Sequence, residues 1–139
     1  MTSLMCLAVA VFFEARGEPT TGQYAVAEVI MNRVEDDRYP DTVCDVVFED
    51  SQFSFTHDGK PDRLPRVATR ASNSSKAAVL AYAAQKAKTV ASDVLDGYRI
   101  GITSTHYHTT SVDPFWTEHF ELDGMIGNHL FYTNTTQYR

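Results

Sequence analysis

The sequence predicts a single α+β domain spanning residues 1–139, with helices in its first two thirds and a small antiparallel sheet in its last third. Apolar residues recur at helical spacing as far as Thr89, whereas short β-like runs between turn signals appear only from Ile100 onward. No internal repeat or linker divides the chain, and its length suits one domain with its own core. Helices followed by strands are typical of the α+β class.

The first helix is predicted from Thr2 to Ala15. Leu7, Val11 and Glu14 fall at spacings of three and four, so they share one face of this helix. Gly17 follows and indicates where the helix ends. The predicted helix is mostly apolar, which is typical of a helix at the centre of a core.

Three further helices are predicted, and a long polar loop separates the last two. The second runs from Thr21, a good cap, to Val34, with Glu28 expected in solvent, and a short third runs from Thr42 to Phe48. The loop from Glu49 to Pro65 is long enough to suggest a functional segment. An alanine-rich helix then begins near 73–75 and reaches about Thr89.

The last third of the chain changes to strand-like patterns. Ile100 to His108 and Leu130 to Thr133 are rich in β-branched and aromatic residues. Turn signals stand at Asp113-Pro114, Asp123-Gly124 and Gly127-Asn128. These segments predict the small antiparallel sheet.

Charge and composition exclude several classes of partner. The formal net charge is −6 and the chain has no run of Lys or Arg, so we expect neither nucleic acid nor an anionic membrane as partner. The apolar stretch from Leu4 to Phe13 is too short to span a bilayer and lacks the basic flank of a signal peptide. We therefore expect a monomer made in the cytoplasm that reaches its substrate after release.

Glu14 is the most informative charged residue, because it lies on the apolar stripe of the first helix. Burial raises the pKa of a glutamate towards neutrality, as a general acid requires. The alternative is a structural carboxylate paired with Arg16 or with Arg33. The sequence pattern by itself leaves both interpretations open.

The segment SQFSFTHDG, Ser51 to Gly59, alternates polar and aromatic side chains within the long loop. Gln52 and Ser54 could donate hydrogen bonds to a sugar, while Phe53 could pack on its ring. A structural loop would have a similar composition, so this segment alone is a weak indication of function.

The segment THYHTTSVDPFW, Thr105 to Trp116, places His106 and His108 on the same side of a strand. Together with His129, they could form a metal site, the basis of a metal-dependent amidase. The chain has no HExxH motif and no common zinc spacing, so we expect no metal and no cofactor. We expect these histidines to donate or accept hydrogen bonds in a cleft wall or in the core.

Several stretches resemble the spore cortex-lytic, SleB-type cell-wall hydrolases, and their order along the chain is that of the family. The resemblance covers nearly the whole chain and is loose only from Lys60 to Asp96. The similar stretches are FFEARGEPTTGQYAVAEVIMNRV, YPDTVCDVV, QFSFTHDG, THYH, the Pro-x-Trp of Pro114 to Trp116, and IGNHLFY.

The resemblance implies a lysozyme-like catalytic domain that acts on the glycan strands of peptidoglycan. The catalytic glutamate of the family corresponds to Glu14, and family members of known chemistry are similar to lytic transglycosylases, which leave 1,6-anhydro-muramic acid ends. The segments it singles out supply the expected substrate-binding residues, which are Gln52, Phe53, Ser54, His106, Tyr107 and Trp116. A catalytic domain without an export signal is similar to a stand-alone phage endolysin.

The two cysteines, Cys6 and Cys44, allow either a disulfide or two buried thiols from their spacing alone. Related sequences carry cysteines at these places, so the resemblance favours the disulfide.

Other activities stay open at this stage. A hydrolytic muramidase would use Glu14 together with a water molecule and a second carboxylate, for which Glu18, Asp58 and Asp113 are candidates. The metal-dependent amidase and a non-catalytic peptidoglycan-binding domain are the remaining alternatives.

Overall fold

Helices precede strands throughout the part of the chain that the computed structural model describes, which is residues 1–49, 63–65 and 75–139. The predicted α+β class, with its helical first part and antiparallel sheet, is confirmed. The helices are α1 Ser3–Ala15, α2 Thr20–Val34, α3 Val43–Val47 and α4 Ser75–Leu95. The strands are β1 His106–Thr109, β2 Glu121–Ile126 and β3 His129–Thr133, with a short 3-10 helix, Phe115–Glu118, between β1 and β2.

Helix α1 is the centre of the core. The Thr2 hydroxyl caps its start by accepting a hydrogen bond from the Met5 amide at 3.1 Å. The residues from Cys6 to Phe12 are all buried, and α1 contacts α2, α3 and α4. A helix that is apolar on all sides is stable only inside such a core. The last turn of α1, which carries Glu14, is therefore held by its packing.

Helix α4 extends further than the sequence predicted, to Leu95 rather than Thr89. The added turn is stabilised because Val90, Ala91 and Val94 are buried against the core. No helix in the described ranges is long and apolar enough to cross a bilayer.

The expectation that Glu28 lies in solvent was wrong. Its side chain is 1% exposed, and its carboxylate accepts hydrogen bonds from the amides of Gly101 at 3.1 Å and Ile102 at 2.7 Å. The segment before β1 runs along α2 and has backbone donors that need acceptors. Because side chains of α2 hold this segment, regular strand begins at His106 and not at the predicted Ile100.

The sheet has the order β1-β3-β2, and both pairings are antiparallel. The turn predicted at Asp123-Gly124 was wrong, because these residues lie inside β2. They coincide with a break in the register between Leu122 and Gly124, where Gly124 has φ +153°. Glycine adopts the positive φ angles that both bulges and turns can require. A bulge and a turn are therefore hard to tell apart by sequence.

The two faces of the sheet have different surroundings. Tyr107 and Phe131 are paired across β1 and β3, and they lie on the face packed against Val26 and Val29 of α2. Because side chains alternate along a strand, His106 and His108 lie on the opposite face. The sheet thus separates Tyr107 from the histidines beside it in sequence.

A disulfide joins Cys6 of α1 to Cys44 of α3, as the resemblance favoured. It closes a loop with a sequence separation of 38 residues, and this loop contains Glu14 and all of α2. A covalent link of this kind stabilises the fold mainly by restricting the unfolded chain.

Reduction of the disulfide should lower the free energy of unfolding by about 3–4 kcal/mol, the amount expected for closure of a loop of this length. Guanidinium unfolding of oxidised and reduced protein measures the difference, and the Cys6→Ala/Cys44→Ala double variant, which should match the reduced protein, is the control. Titration of unreduced, denatured protein should find no free thiol. Two reactive thiols in air-handled protein would contradict the bond.

Candidate active site

Glu14 lies in the last turn of α1, partly buried, as its place on the apolar stripe predicted. Removal of its carboxyl group from water raises the pKa of Glu14 from 4.5 to about 7. A group with this pKa is present in both its protonated and its ionised form at neutral pH. It can therefore donate a proton and later accept one.

Two neighbours act against the effect of burial on Glu14. The Tyr107 hydroxyl donates a hydrogen bond to its carboxylate, and the positive charge of Arg33 also favours the ionised form. Burial is the larger effect, since the pKa remains far above the ordinary value. Of the two arginines that the sequence offered as partners, Arg33 acts on Glu14, whereas the Arg16 guanidinium lies 4.6 Å from the Phe12 ring centroid.

Arg33 is a buried cation, 3% exposed, on the apolar stripe of α2. Its Nε donates a hydrogen bond of 2.6 Å to the Thr105 carbonyl oxygen, and its guanidinium carbon lies 5.5 Å from the Tyr39 ring centroid. Burial lowers the pKa of Arg33, and the charge of Glu14 acts in the opposite direction. This hydrogen bond places a positive charge near Glu14 and fixes the residue immediately before β1.

Tyr107 reaches Glu14 from β1. Its hydroxyl oxygen is shielded from solvent, and burial together with the negative charge of Glu14 raises the pKa of Tyr107 well above its ordinary value. The hydroxyl therefore keeps its proton and acts as a donor. Its ring contacts those of His129, with centroids 4.9 Å apart, and Phe131, with centroids 5.8 Å apart.

Glu18, a candidate second carboxylate, is bound to the turn between β2 and β3. Its Oε1 accepts a hydrogen bond of 2.8 Å from the Asn128 amide and lies 3.2 Å from Nδ1 of His129. Of the other candidates, Asp113 is exposed before the 3-10 helix, and Asp58 lies outside the described residues. Glu18 thus has structural contacts that its position after the first helix did not predict.

His106 and Trp116 lie together in an aromatic pocket on the other face of the sheet. Their ring centroids are 5.1 Å apart, and the Phe120 ring lies 4.6 Å from His106. The cavity has a volume of about 450 Å³. Its lining residues come from the loop after α2, β1, the 3-10 helix and the C-terminal segment, and they are Tyr39, His106, Phe115, Trp116, His119, Phe120, Thr136, Tyr138 and Arg139.

His106 is a neutral imidazole near physiological pH. Burial, followed by the positive charges of Arg33 and Arg38, lowers the pKa of His106 from 6.5 to about 3. Its Nδ1 lies 3.0 Å from the Thr105 hydroxyl oxygen, a hydrogen bond that fixes the ring. The wall of the aromatic pocket is therefore uncharged at this residue and can both donate and accept hydrogen bonds.

The three histidines considered for a metal site do not converge. His106 and His108 lie on the face of β1 that contacts Trp116, whereas His129 contacts Tyr107 on the face packed against the helices. Both ring nitrogens of His108 have partners, Thr109 O at 2.7 Å and the Tyr132 hydroxyl at 3.0 Å. Within the described residues, no three side chains of the ligating types cluster closely enough to hold a metal.

The structure places the predicted site residues in two groups. Tyr107 contacts Glu14, while His106 and Trp116 form the wall of the aromatic pocket. The predicted residues Gln52, Phe53 and Ser54 lie outside the described residues, and their roles stay predictions.

Sequence reasoning did not assign the pocket residues Tyr39 and Phe120 to the site, although Tyr39 begins the family-like stretch YPDTVCDVV. It also missed that Arg33 lowers the pKa of both Glu14 and His106. The sequence did contain a signal for Arg33. Arg33 lies on the apolar stripe of its helix, as Glu14 does, and a charged group there costs free energy unless it has a specific partner.

The chain is similar to a family of known proteins. Residues 17–132 match the family model described as Cell Wall Hydrolase, a range that begins after Glu14. The spore cortex-lytic enzyme of Oceanobacillus iheyensis is 49% identical over 57 residues, which are 41% of this chain and 21% of that protein. That of Bacillus subtilis is 44% identical over 64 residues, 46% of this chain and 21% of the relative. The chain thus spans about a fifth of the length of these relatives.

Two solved structures have the same fold. The catalytic domain of the germination-specific lytic transglycosylase SleB from Bacillus anthracis superimposes with a TM-score of 0.71 and 28% identity, covering 94% of this chain and 93% of that one. The catalytic domain of the Bacillus cereus SleB protein gives 0.70 and 28%, with 94% and 89% covered. Because the family model matches most of the chain and the fold agrees, this protein belongs to the cell wall hydrolase family.

Proposed function

We propose that this protein is a peptidoglycan lytic transglycosylase that cleaves the β-1,4 bond between N-acetylmuramic acid and N-acetylglucosamine. The observation that carries the proposal is Glu14, a buried carboxyl group with a pKa of about 7 beside a fixed hydroxyl donor and a buried cation. The similarity to SleB, a germination-specific lytic transglycosylase, supports the same reaction class. Glu14 serves as the acid and then as the base.

In the first step, protonated Glu14 donates its proton to the glycosidic oxygen. The bond from that oxygen to C1 of the muramic acid breaks, N-acetylglucosamine leaves with a free 4-hydroxyl, and positive charge develops at C1. Glu14 is now a carboxylate. The Tyr107 hydrogen bond and the charge of Arg33 favour this ionised form, so they stabilise it as the proton leaves.

In the second step, the Glu14 carboxylate removes the proton from the 6-hydroxyl of the same muramic acid. The freed oxygen attacks C1 and closes the 1,6-anhydro ring, and Glu14 regains its proton. No water is consumed. One carboxyl group with a pKa near the working pH performs both proton transfers.

The contacts of Glu18 favour this reaction over hydrolysis by a muramidase. Two-carboxylate glycosidases need a second Asp or Glu as nucleophile or as the base that activates water. The carboxylate of Glu18 instead accepts hydrogen bonds from both the amide and the side chain of Asn128, at 2.8 and 3.3 Å. Its oxygens are occupied by the turn between β2 and β3.

The aromatic pocket supports a role for His106 and Trp116 in binding the glycan. Aromatic rings pack on the apolar faces of sugars, and the neutral imidazole of His106 offers hydrogen bonds without a charge. Arg33 acts electrostatically on both His106 and Glu14, so the pocket and the acid lie near one buried cation. We propose that sugar rings of the glycan strand occupy this pocket, with Gln52, Phe53 and Ser54 contributing from the long loop.

Glu14→Gln should lower the rate of peptidoglycan lysis by at least about 10²–10⁴-fold, because an amide cannot transfer the proton. The variant should fold, since the amide has nearly the same volume. It should also resist denaturant better than wild type at pH 8, because ionising Glu14 removes stability as pH rises towards about 7.

Turbidity loss of purified cell walls measures the rate of the Glu14→Gln variant. Glu35→Gln, a change at an exposed carboxylate paired with Arg99, is the control and should leave the rate within about twofold of wild type. Retention of a tenth of the wild-type rate by Glu14→Gln would rule out Glu14 as the catalyst.

The rate should depend on pH in the direction set by Glu14. The free enzyme needs the protonated form to start the reaction, so kcat/KM should fall as pH rises through about 7. Initial rates on soluble glycan strands between pH 5 and 9, at constant ionic strength, test this expectation. A kcat/KM that rises between pH 6 and 8 would contradict the assigned order of proton transfers.

The product distinguishes the transglycosylase from the muramidase. Digestion in water enriched in oxygen-18 should give fragments that end in 1,6-anhydro-N-acetylmuramic acid, unlabelled and one water lighter than hydrolytic fragments. Mass spectrometry measures both properties, and a hydrolytic lysozyme run in parallel is the control. Label at the new C1 would show hydrolysis and would keep Glu14 only as the acid.

A further inference from the structure

We propose that Glu18 is a positioning residue that holds the Tyr107 hydroxyl against Glu14 by way of His129. The inference rests on the proposed function only in assigning the acid to Glu14. Glu18 is close in sequence to Glu14, but in this proposal it orients other groups and is neither a nucleophile nor a base.

Glu18 joins two parts of the chain that are far apart in sequence. It lies in the turn between α1 and α2, and its carboxylate contacts the amide and side chain of Asn128 and Nδ1 of His129. The side chains are well shielded from solvent, with 9% of Glu18 and 3% of His129 exposed. Hydrogen bonds to a shielded carboxylate are stronger than those in water.

The turn between β2 and β3 packs closely around the Glu18 carboxylate. Gly127 has φ +57°, a conformation that favours glycine, and a Cβ added there would lie 2.8 Å from Oε1 of Glu18. The Glu18 carboxylate therefore lies directly against the turn backbone. A loss of this carboxylate removes the group that orients the Asn128 amide at the start of β3.

His129 connects this turn to Tyr107 at the site. The His129 ring meets the Tyr107 ring edge to face, with centroids 4.9 Å apart and planes at 61°. Phe131 lies on β3, as His129 does, and it also contacts the Tyr107 ring, with centroids 5.8 Å apart. Displacement of His129 therefore opens space beside Tyr107, whose hydroxyl donates to Glu14.

The charges around these groups make the coupling measurable. Glu14 is faced by Tyr107 of β1 and Arg33 of α2, and both lower its pKa. Burial lowers the pKa of His129, which Glu18 and His108 face, and its Nδ1 lies 3.2 Å from Oε1 of Glu18. Among the described residues, the Tyr107 hydroxyl is thus the group through which Glu18 can change the pKa of Glu14.

The experiment measures the pKa of Glu14 by carbon-13 NMR titration of its carboxyl group in the wild type, Glu18→Ala, Tyr107→Phe and the double variant. The pKa of Glu14 should rise in each single variant, because the hydrogen bond that lowers it is weakened or lost. The double variant should show no further rise beyond Tyr107→Phe. The pH at which kcat/KM falls, near 7 in the wild type, should rise in the same variants.

Two controls separate positioning from stability and from catalysis. Asp123→Asn alters another carboxylate of the same hairpin, one that accepts hydrogen bonds from the hydroxyls of Ser104 at 2.7 Å and Thr133 at 2.6 Å. It should lower stability and leave the pKa of Glu14 unchanged. Glu18→Gln keeps an oxygen acceptor for the Asn128 amide and a side chain of the same size beside His129, so it should retain most of the activity and the wild-type pKa of Glu14.

An unchanged pKa of Glu14 in Glu18→Ala, or shifts that simply add in the double variant, would overturn the proposal. So would a loss of activity in Glu18→Gln as deep as in Glu14→Gln, which would make Glu18 a catalytic residue. If Glu18→Ala does not fold, His129→Ala removes the ring beside Tyr107 and must raise the pKa of Glu14 instead. Full activity of Glu14→Gln would defeat the proposed function, while the titrations would still decide the coupling.

Discussion

The burial of a carboxyl group on α1 is the constraint on which the site depends. A glutamate that loses its water remains neutral unless nearby groups compensate for the charge. Tyr107 and Arg33 compensate in part, and a pKa of about 7 is the balance. Full burial without these partners would keep Glu14 protonated throughout, whereas a close ion pair in water would keep it ionised. Only the intermediate environment allows one group to give up a proton and take one back.

That balance requires β1 to lie at a fixed position relative to α1, although the two elements are far apart in sequence. Polar side chains of α2 hold the segment that leads into β1. Glu28 accepts from the Ile102 amide at 2.7 Å, Asn32 donates to the Ser104 carbonyl at 2.9 Å, and Arg33 donates to the Thr105 carbonyl at 2.6 Å. The α2 helix therefore positions the strand as well as supplying the cation.

The sheet then separates two kinds of environment. The face packed against the helices holds Tyr107 and His129 beside Glu14, and the opposite face forms the aromatic pocket with His106 and Trp116. Arg33 lowers the pKa of both Glu14 and His106, so one buried cation acts on groups on both sides of the sheet, and burial is the larger cause of the low pKa of His106. A strand that presents alternate side chains to these environments gives neighbouring residues different surroundings.

The sequence by itself determined the α+β class, the core of the first helix and Glu14 as an unusual carboxylate, because helical periodicity and the cost of a charge on an apolar stripe are local properties. It did not determine that Glu28 is buried, that the segment before His106 is not regular strand, or that Glu18 binds the turn at Asn128. These depend on which backbone donors come to lie beside a carboxylate after packing. The same holds for the pairing of Tyr107 with Glu14, since a contact between residues so far apart in sequence is decided only by the register and packing of the folded chain.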